Sequence, residues 1–98
     1  MKGAGRITDS LTDGDTIAVG SGNVFINNLA ASVHNDATTG HGCFPPTVII
    51  ATTATVFVNN KPLLRQGDSN VPHTCVVPPF PTDSGTIVIG SGDVFVGA

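Results

Sequence analysis

Residues 16–26 read TIAVGSGNVFI, and a second copy, TIVIGSGDVFV, stands 70 residues further along the chain at residues 86–96. A middle copy, TVIIATTATVFV at residues 47–58, carries one extra residue in its turn and lacks both glycines. Each copy is typical of strand, tight turn and strand, with side chains alternating between two faces. The Gly-Ser-Gly of the outer copies is expected to supply the positive φ of that turn. The sequence therefore predicts three β-hairpin repeats.

A second segment recurs between the hairpins. Residues 27–31 and 59–63 both begin with Asn-Asn, and the spacing of 32 residues between them also relates three further pairs: Asp36 and Asp68, His41 and His73, Cys43 and Cys75. The first copy keeps only its acidic residue, Asp9, and has Gly14 where the others have histidine. Asp36 and Asp68 are expected to cap turns, because aspartate side chains accept hydrogen bonds from nearby backbone N–H groups.

The loop before each hairpin lengthens along the chain, from residues 14–16 to 41–47 and then to 73–86. The last loop contains VVPPFP at residues 76–81, and its prolines favour a stiff, extended path. No helix is required anywhere in the sequence.

A single hairpin cannot bury one of its faces, so the three repeats are expected to pack around a shared axis. Phe25, Phe57 and Phe95 occupy equivalent positions and are predicted to form one layer of the core. The predicted fold is all-β: residues 1–98 form one domain of three pseudo-threefold β-hairpin repeats. A chain of 98 residues has room for one modest core.

Only 11% of the residues are charged, against about 25% in an average soluble domain. So little charge suggests that another protein covers part of the surface, although a small glycine-rich domain with a neutral surface would have the same composition. The net charge of −3, with four basic residues, argues against nucleic acid as a partner. No signal peptide and no apolar run long enough to span a bilayer is found, so export would need another route.

The histidines and cysteines form a candidate metal site. His41-x-Cys43 and His73-x-Cys75 are two copies of one ligand pair, and His34 is a fifth candidate. Zinc takes tetrahedral sets of thiolate and imidazole, so both Cys2His2 and Cys1His3 sets fit, and iron is an alternative metal. The two cysteines could instead form a disulfide, or be buried thiols beside surface histidines, but their place next to histidine favours metal ligation. A structural zinc would add of order 10 kcal/mol to the folding of such a small domain.

The hairpin ends VFIN at 24–27 and VFVN at 56–59, followed by NKPLLRQGD at 60–68, resemble PAAR-repeat proteins. GTIVIGSG at residues 85–92 looks like the closing repeat of that family. The resemblance spans nearly the whole chain. A stand-alone chain of this length is most similar to the spike-tip proteins of contractile phage tails, with short tips of type VI secretion systems second.

The resemblance implies a sharp cone on the blunt end of a trimeric β-helical spike, with a zinc ion near the vertex. Such sites commonly have three histidines and one cysteine, which here would be His34, His41, His73 and Cys75, with Cys43 as the alternative thiolate. The sequence departs from the family at Gly14, which replaces a histidine, and its own next repeat has Gln66 where His34 stands.

The expected function is a non-enzymatic structural tip, one per spike trimer, that meets the target membrane only transiently. It would lie at the tip of a virion tail or baseplate, or be assembled in the bacterial cytoplasm and delivered. The alternatives are a type VI secretion tip that also recruits effector proteins, and a small zinc hydrolase with Asp36 or Asp68 as general base.

Overall fold

The computed structural model describes residues 2–52 and 56–96, and the regular structure within those ranges is all β, as predicted. Ten strands of two residues each pair antiparallel in five two-stranded ladders, β1–β10, β2–β3, β4–β7, β5–β6 and β8–β9. The strands are β1 (Lys2–Gly3), β2 (Phe25–Ile26), β3 (Leu29–Ala30), β4 (Ile49–Ile50), β5 (Phe57–Val58), β6 (Lys61–Pro62), β7 (Ser69–Asn70), β8 (His73–Thr74), β9 (Thr82–Asp83) and β10 (Phe95–Val96). Within the same ranges no helix is long and apolar enough to cross a membrane.

The hairpins turn at Asn-Asn and not at Gly-Ser-Gly, so the predicted turn position was wrong. β2 pairs with β3 around Asn27 and Asn28, whose φ angles are 54° and 66°, and β5 pairs with β6 around Asn59 and Asn60, at 51° and 70°. Asparagine tolerates this left-handed region, and two such residues in succession form the tight turn that suits a twisted hairpin. The predicted turn of the middle copy falls partly on residues 53–55, which lie outside the described residues.

The Gly-Ser-Gly segments have a different role. The Ser21 hydroxyl accepts hydrogen bonds from the N–H groups two and three residues later, both at 3.1 Å, and Ser91 does the same at 3.1 and 2.8 Å. A Cβ on Gly20 would lie 2.7 Å from the Cβ of Ala30, and one on Gly90 would lie 2.8 Å from the carbonyl oxygen of Gly3. The preceding glycines therefore permit close backbone approach, whereas the expected positive φ is not found there.

Three aspartates cap three equivalent turns, which confirms the expectation for Asp36 and Asp68. The carboxylates of Asp9, Asp36 and Asp68 each accept a hydrogen bond from the backbone N–H three residues earlier, at 2.9, 2.8 and 3.0 Å. In each turn the residue before the aspartate has a positive φ, at Thr8, Asn35 and Gly67. The repeat therefore recurs as a local structure as well as a sequence.

The three segments that carry these turns are joined by backbone hydrogen bonds in a closed ring. Gly5 N–H donates to the carbonyl of Leu64 at 2.8 Å, Leu64 N–H donates to Ser32 at 3.0 Å, and Ser32 N–H donates back to Gly5 at 3.0 Å. The ladder between β1 and β10 brings residues 2–3 beside residues 95–96. Each segment thus holds the other two in place.

The core consists of two apolar clusters. One contains Leu11, Ile17, Ile49, Leu64 and Ile87, and the other contains Ala4, Ile26, Ala31, Val33, Val58, Leu63 and Val96. Phe25, Phe57 and Phe95 do not belong to either, since 59%, 54% and 48% of their surfaces are exposed. The prediction that they form a core layer was therefore wrong. Successive side chains of a strand point to opposite faces, and the residue after each phenylalanine is buried. The phenylalanine itself therefore points outward.

Candidate metal site

Four side chains from three separate parts of the chain converge outside the two core clusters. Asp13 precedes Gly14 in the first copy, and His41 starts a turn whose ends, His41 and Phe44, exchange backbone hydrogen bonds of 3.1 and 2.8 Å. His73 and Asp83 face each other across the β8–β9 ladder. One hydrogen-bonded turn and one ladder thus hold three of the four side chains.

The four ligand atoms lie within 4.8 Å of one another. The Nε2 atoms of His41 and His73 are 3.3 Å apart, and Asp13 Oδ2 lies 3.6 Å from the first and 3.3 Å from the second. Asp83 Oδ2 lies 3.5 Å from His41 Nε2. A tetrahedron around a zinc ion with bonds of about 2.0–2.1 Å has edges of about 3.3–3.4 Å, and the four distances between individual atoms given above are close to this value.

The His73 ring is fixed by a second hydrogen bond. Its Nδ1 atom lies 2.7 Å from the carbonyl oxygen of Pro45. A carbonyl can only accept, so Nδ1 carries the proton and Nε2 presents a lone pair to the group in the neutral ring. This is the arrangement in which a histidine ligates a metal while its other nitrogen is held by the surrounding shell. Phe44 packs against both imidazoles, at ring-centroid distances of 4.8 Å to His41 and 5.0 Å to His73.

Asp13 is the buried acidic member of the group, with 2% of its side chain exposed. Burial alone would raise its pKa, but hydrogen bonds from the Asn70 side chain and the Asp15 backbone lower it, and the positive charge of a protonated His41 lowers it further. The net result is a pKa for Asp13 below its ordinary value. The carboxylate is therefore held in the ionised form that binds a cation.

The two cysteines are joined to each other. Cys43 and Cys75 form a disulfide with a Cα–Cα distance of 4.9 Å, and no free cysteine occurs among the described residues. This corrects the preference for metal ligation by Cys75 or Cys43, because a disulfide sulfur is not a thiolate. The physical reason is that equivalent positions in two neighbouring copies approach closely enough to bond.

His34 lies outside the group as well. Its Nδ1 atom accepts a 3.0 Å hydrogen bond from the backbone N–H of Ala51. Of the predicted set, His34, His41, His73 and Cys75, the structure thus brings together His41 and His73 alone.

Asp13 and Asp83 are the members that sequence reasoning missed. The sequence did indicate Asp13 as a candidate ligand, because it adjoins Gly14, the position that corresponds to His41 and His73. A carboxylate next to the vacant histidine position could supply the missing ligand. Asp83 has no counterpart in the other copies, and only the ladder with β8 brings it to His73.

Chemically, two imidazole nitrogens and two carboxylate oxygens form a donor set that can bind a divalent metal ion. The group is partly exposed to solvent. The side chains of His73 and Asp13 are buried, while those of His41 and Asp83 are 21% and 33% exposed. No family model and no curated protein matches the chain.

Proposed function

We propose that this protein is a non-enzymatic structural tip of the PAAR-repeat type, which caps and sharpens the trimeric β-helical spike of a contractile injection machine. In this proposal the three copies stand about a pseudo-threefold axis and form a small cone. One chain sits on each trimer and is carried through the target membrane when the machine contracts. The setting would be the tail tip or baseplate of a virion.

The observation that carries the proposal is the set of three exposed phenylalanines at equivalent positions. Phe25, Phe57 and Phe95 each lie next to a buried residue of one core cluster and are about half exposed. Exposed apolar side chains of this size occur in surfaces that bind other proteins. A partner with threefold symmetry would offer three equivalent contacts to a chain that itself repeats three times.

The metal site supports a mechanical role. Asp13, His41, His73 and Asp83 would hold the ion, with zinc as the proposed metal and iron as the alternative. A bound ion would supply a cross-link between three loops that contribute few residues to the core. Together with the Cys43–Cys75 disulfide, it would stiffen this part of the molecule, and a tip driven by an external force needs stiffness rather than chemistry.

The test is to mix the purified chain with a trimeric β-helical spike fragment from the same genome and to measure the mass of the complex by light scattering. We expect one chain per trimer. A triple change of Phe25, Phe57 and Phe95 to serine should abolish the complex, whereas Phe80→Ser, which alters an equally exposed phenylalanine elsewhere, should leave it intact. No complex with the unchanged protein, or three chains per trimer, would overturn the proposal.

The same architecture would also serve as a type VI secretion tip that recruits effector proteins. The genes that flank this one, and a pull-down from a lysate of the source cell, distinguish the two settings. In either setting the chain would be assembled in the bacterial cytoplasm before delivery.

A hydrolase is the competing class, and the observation in its favour is the partial exposure of Asp83 beside His41. Asp36 and Asp68, the predicted general bases, instead cap turns. X-ray absorption of the zinc-loaded protein separates the classes: four protein ligands indicate a structural site, and three ligands plus water indicate a catalytic one.

A further inference from the structure

The loop between β8 and β9 exposes several apolar side chains. We call residues 76–81, VVPPFP, the apolar loop. The exposed fractions of Val76, Val77 and Phe80 are 68%, 55% and 55%, and its three prolines are exposed too. From residue 74 to residue 82 the chain has no ionisable side chain other than Cys75, which is in the disulfide.

Every backbone N–H group from residue 75 to residue 81 has an acceptor within the protein. Three of these residues are prolines and have no N–H. The other four donate as follows: Cys75 to the carbonyl of Pro81 at 2.8 Å, Val76 to the carbonyl of Cys43 at 3.2 Å, Val77 to the sulfur of Cys75 at 3.4 Å, and Phe80 to the carbonyl of Val77 at 2.9 Å. The apolar loop therefore offers no free donor to an adjoining strand.

The base of the loop is held at several points. His73 and Thr74 pair with Asp83 and Thr82, and the disulfide ties Cys75 to Cys43. A segment that is already ordered loses little conformational entropy when it binds. The apolar loop is thus a preformed projection of the chain.

We propose that the apolar loop is a lipid-contacting element, which enters the boundary between the headgroups and the acyl chains of a bilayer. In hydrocarbon each unpaired N–H or C=O group costs several kcal/mol. The N–H groups of the apolar loop are paired, and at the headgroup boundary its carbonyl groups can still accept hydrogen bonds from water, so this depth suits the loop. A partner that adds a β-strand would need the free donors that this loop lacks. Valine and phenylalanine side chains gain free energy on leaving water, and no residue from 74 to 82 carries a charge that must be desolvated.

Electrostatics does not drive this contact. The chain has a net charge of −3, and Asp83 follows the loop, so anionic lipids would not attract it. We therefore expect binding to uncharged phosphatidylcholine vesicles that varies little with salt. The inference stands on the contacts of the loop, so it holds or fails independently of the proposed spike.

The absence of tryptophan from the chain makes a direct test possible. A Phe80→Trp variant has a single indole in the apolar loop, and Phe57→Trp is the matched control, because Phe57 is equally exposed and belongs to a different ladder, β5–β6. With phosphatidylcholine vesicles, the emission of Phe80→Trp should shift to the blue and be quenched by brominated acyl chains. Phe57→Trp should show neither effect.

Partitioning of the protein into vesicles, measured by co-sedimentation, gives the second readout. A Val76→Ser, Phe80→Ser double variant should lower the partition coefficient about tenfold or more, since it removes two of the three large exposed apolar side chains of the loop. Phe57→Ser should leave it unchanged. Equal blue shifts for both tryptophan variants, no shift for Phe80→Trp, or a shift that appears without vesicles as the protein concentration rises would each overturn the proposal, the last by showing that a second copy covers the loop.

Discussion

The Nδ1 atom of His73 donates a 2.7 Å hydrogen bond to the carbonyl oxygen of Pro45, and the opposite nitrogen of the ring lies 3.3 Å from Nε2 of His41. In the neutral ring, the first contact decides which nitrogen carries the proton. The second contact places two imidazole nitrogens as far apart as two ligand atoms that bind the same metal ion.

Substitution of the histidines distinguishes this site from the set that the family resemblance implies. We expect zinc to raise the unfolding temperature of the wild-type protein and of His34→Ala, but not that of His73→Ala. At a zinc concentration 100 times the dissociation constant, the gain is about 2.7 kcal/mol. Each variant is compared with its own chelator-treated form by differential scanning fluorimetry. Loss of the zinc effect in His34→Ala would instead place His34 among the ligands.

Acid should destabilise the metal-free protein through Asp13. Its pKa is lower in the folded state, so its contribution is present above the ordinary aspartate pKa of about 3.9 and is lost as the pH falls through the folded value. The difference in unfolding free energy between wild type and Asp13→Asn should therefore shrink below about pH 4. Urea titrations with a chelator present, between pH 3 and pH 7, measure it. A difference that is independent of pH would contradict the assignment.

The glycines provide a matched pair of substitutions. A Cβ on Gly90 would lie 2.8 Å from the carbonyl oxygen of Gly3, whereas one on Gly92 would have no atom within 4 Å. Gly90→Ala should lower the unfolding free energy by about 2 kcal/mol or more, because a backbone atom must move. Gly92→Ala should change it by less than about 1 kcal/mol. Chemical denaturation of both variants measures these values, and equal effects would show that the close approach at Gly90 is not maintained in solution.

Loss of the disulfide should be costly. Cys43 and Cys75 are separated by 32 positions, and closing a loop of this length in the unfolded chain corresponds to about 3–4 kcal/mol. We expect the Cys43→Ser, Cys75→Ser double variant to lose about that much stability in urea. Addition of a reductant should lower the stability of the wild-type protein and leave the double variant unaffected. A reductant effect on both proteins would show that it does not act through this bond.

The repeat could be predicted from the sequence because each copy is formed by interactions between residues that are close in the chain. Asp9, Asp36 and Asp68 each cap a turn with the residues beside them, so equal spacing translates directly into equal structure. The aspartates at positions 13 and 83 were not readable in this way. Asp13 adjoins Gly14, the position equivalent to the two histidines, whereas Asp83 has no counterpart in the other copies and reaches the histidines only through the β8–β9 ladder.

The orientation of the phenylalanines could not be predicted from the sequence, for a different reason. Each lies within three successive apolar residues, such as Val94, Phe95 and Val96, so alternation does not reveal which of them points inward. The cysteines present a similar ambiguity. Equivalent positions in adjacent copies are close in space, which suits a shared metal and a disulfide equally well.

The ladder between β1 and β10 has a consequence for synthesis on the ribosome. Gly3 pairs with Phe95, so this ladder cannot form until residue 95 has been made. The ring of hydrogen bonds through Gly5, Ser32 and Leu64 can form sooner, because its members emerge well before residue 95. We therefore expect the nascent chain to stay partly open until residues 86–96 have emerged, with the apolar positions of this third copy buried after those of the other two.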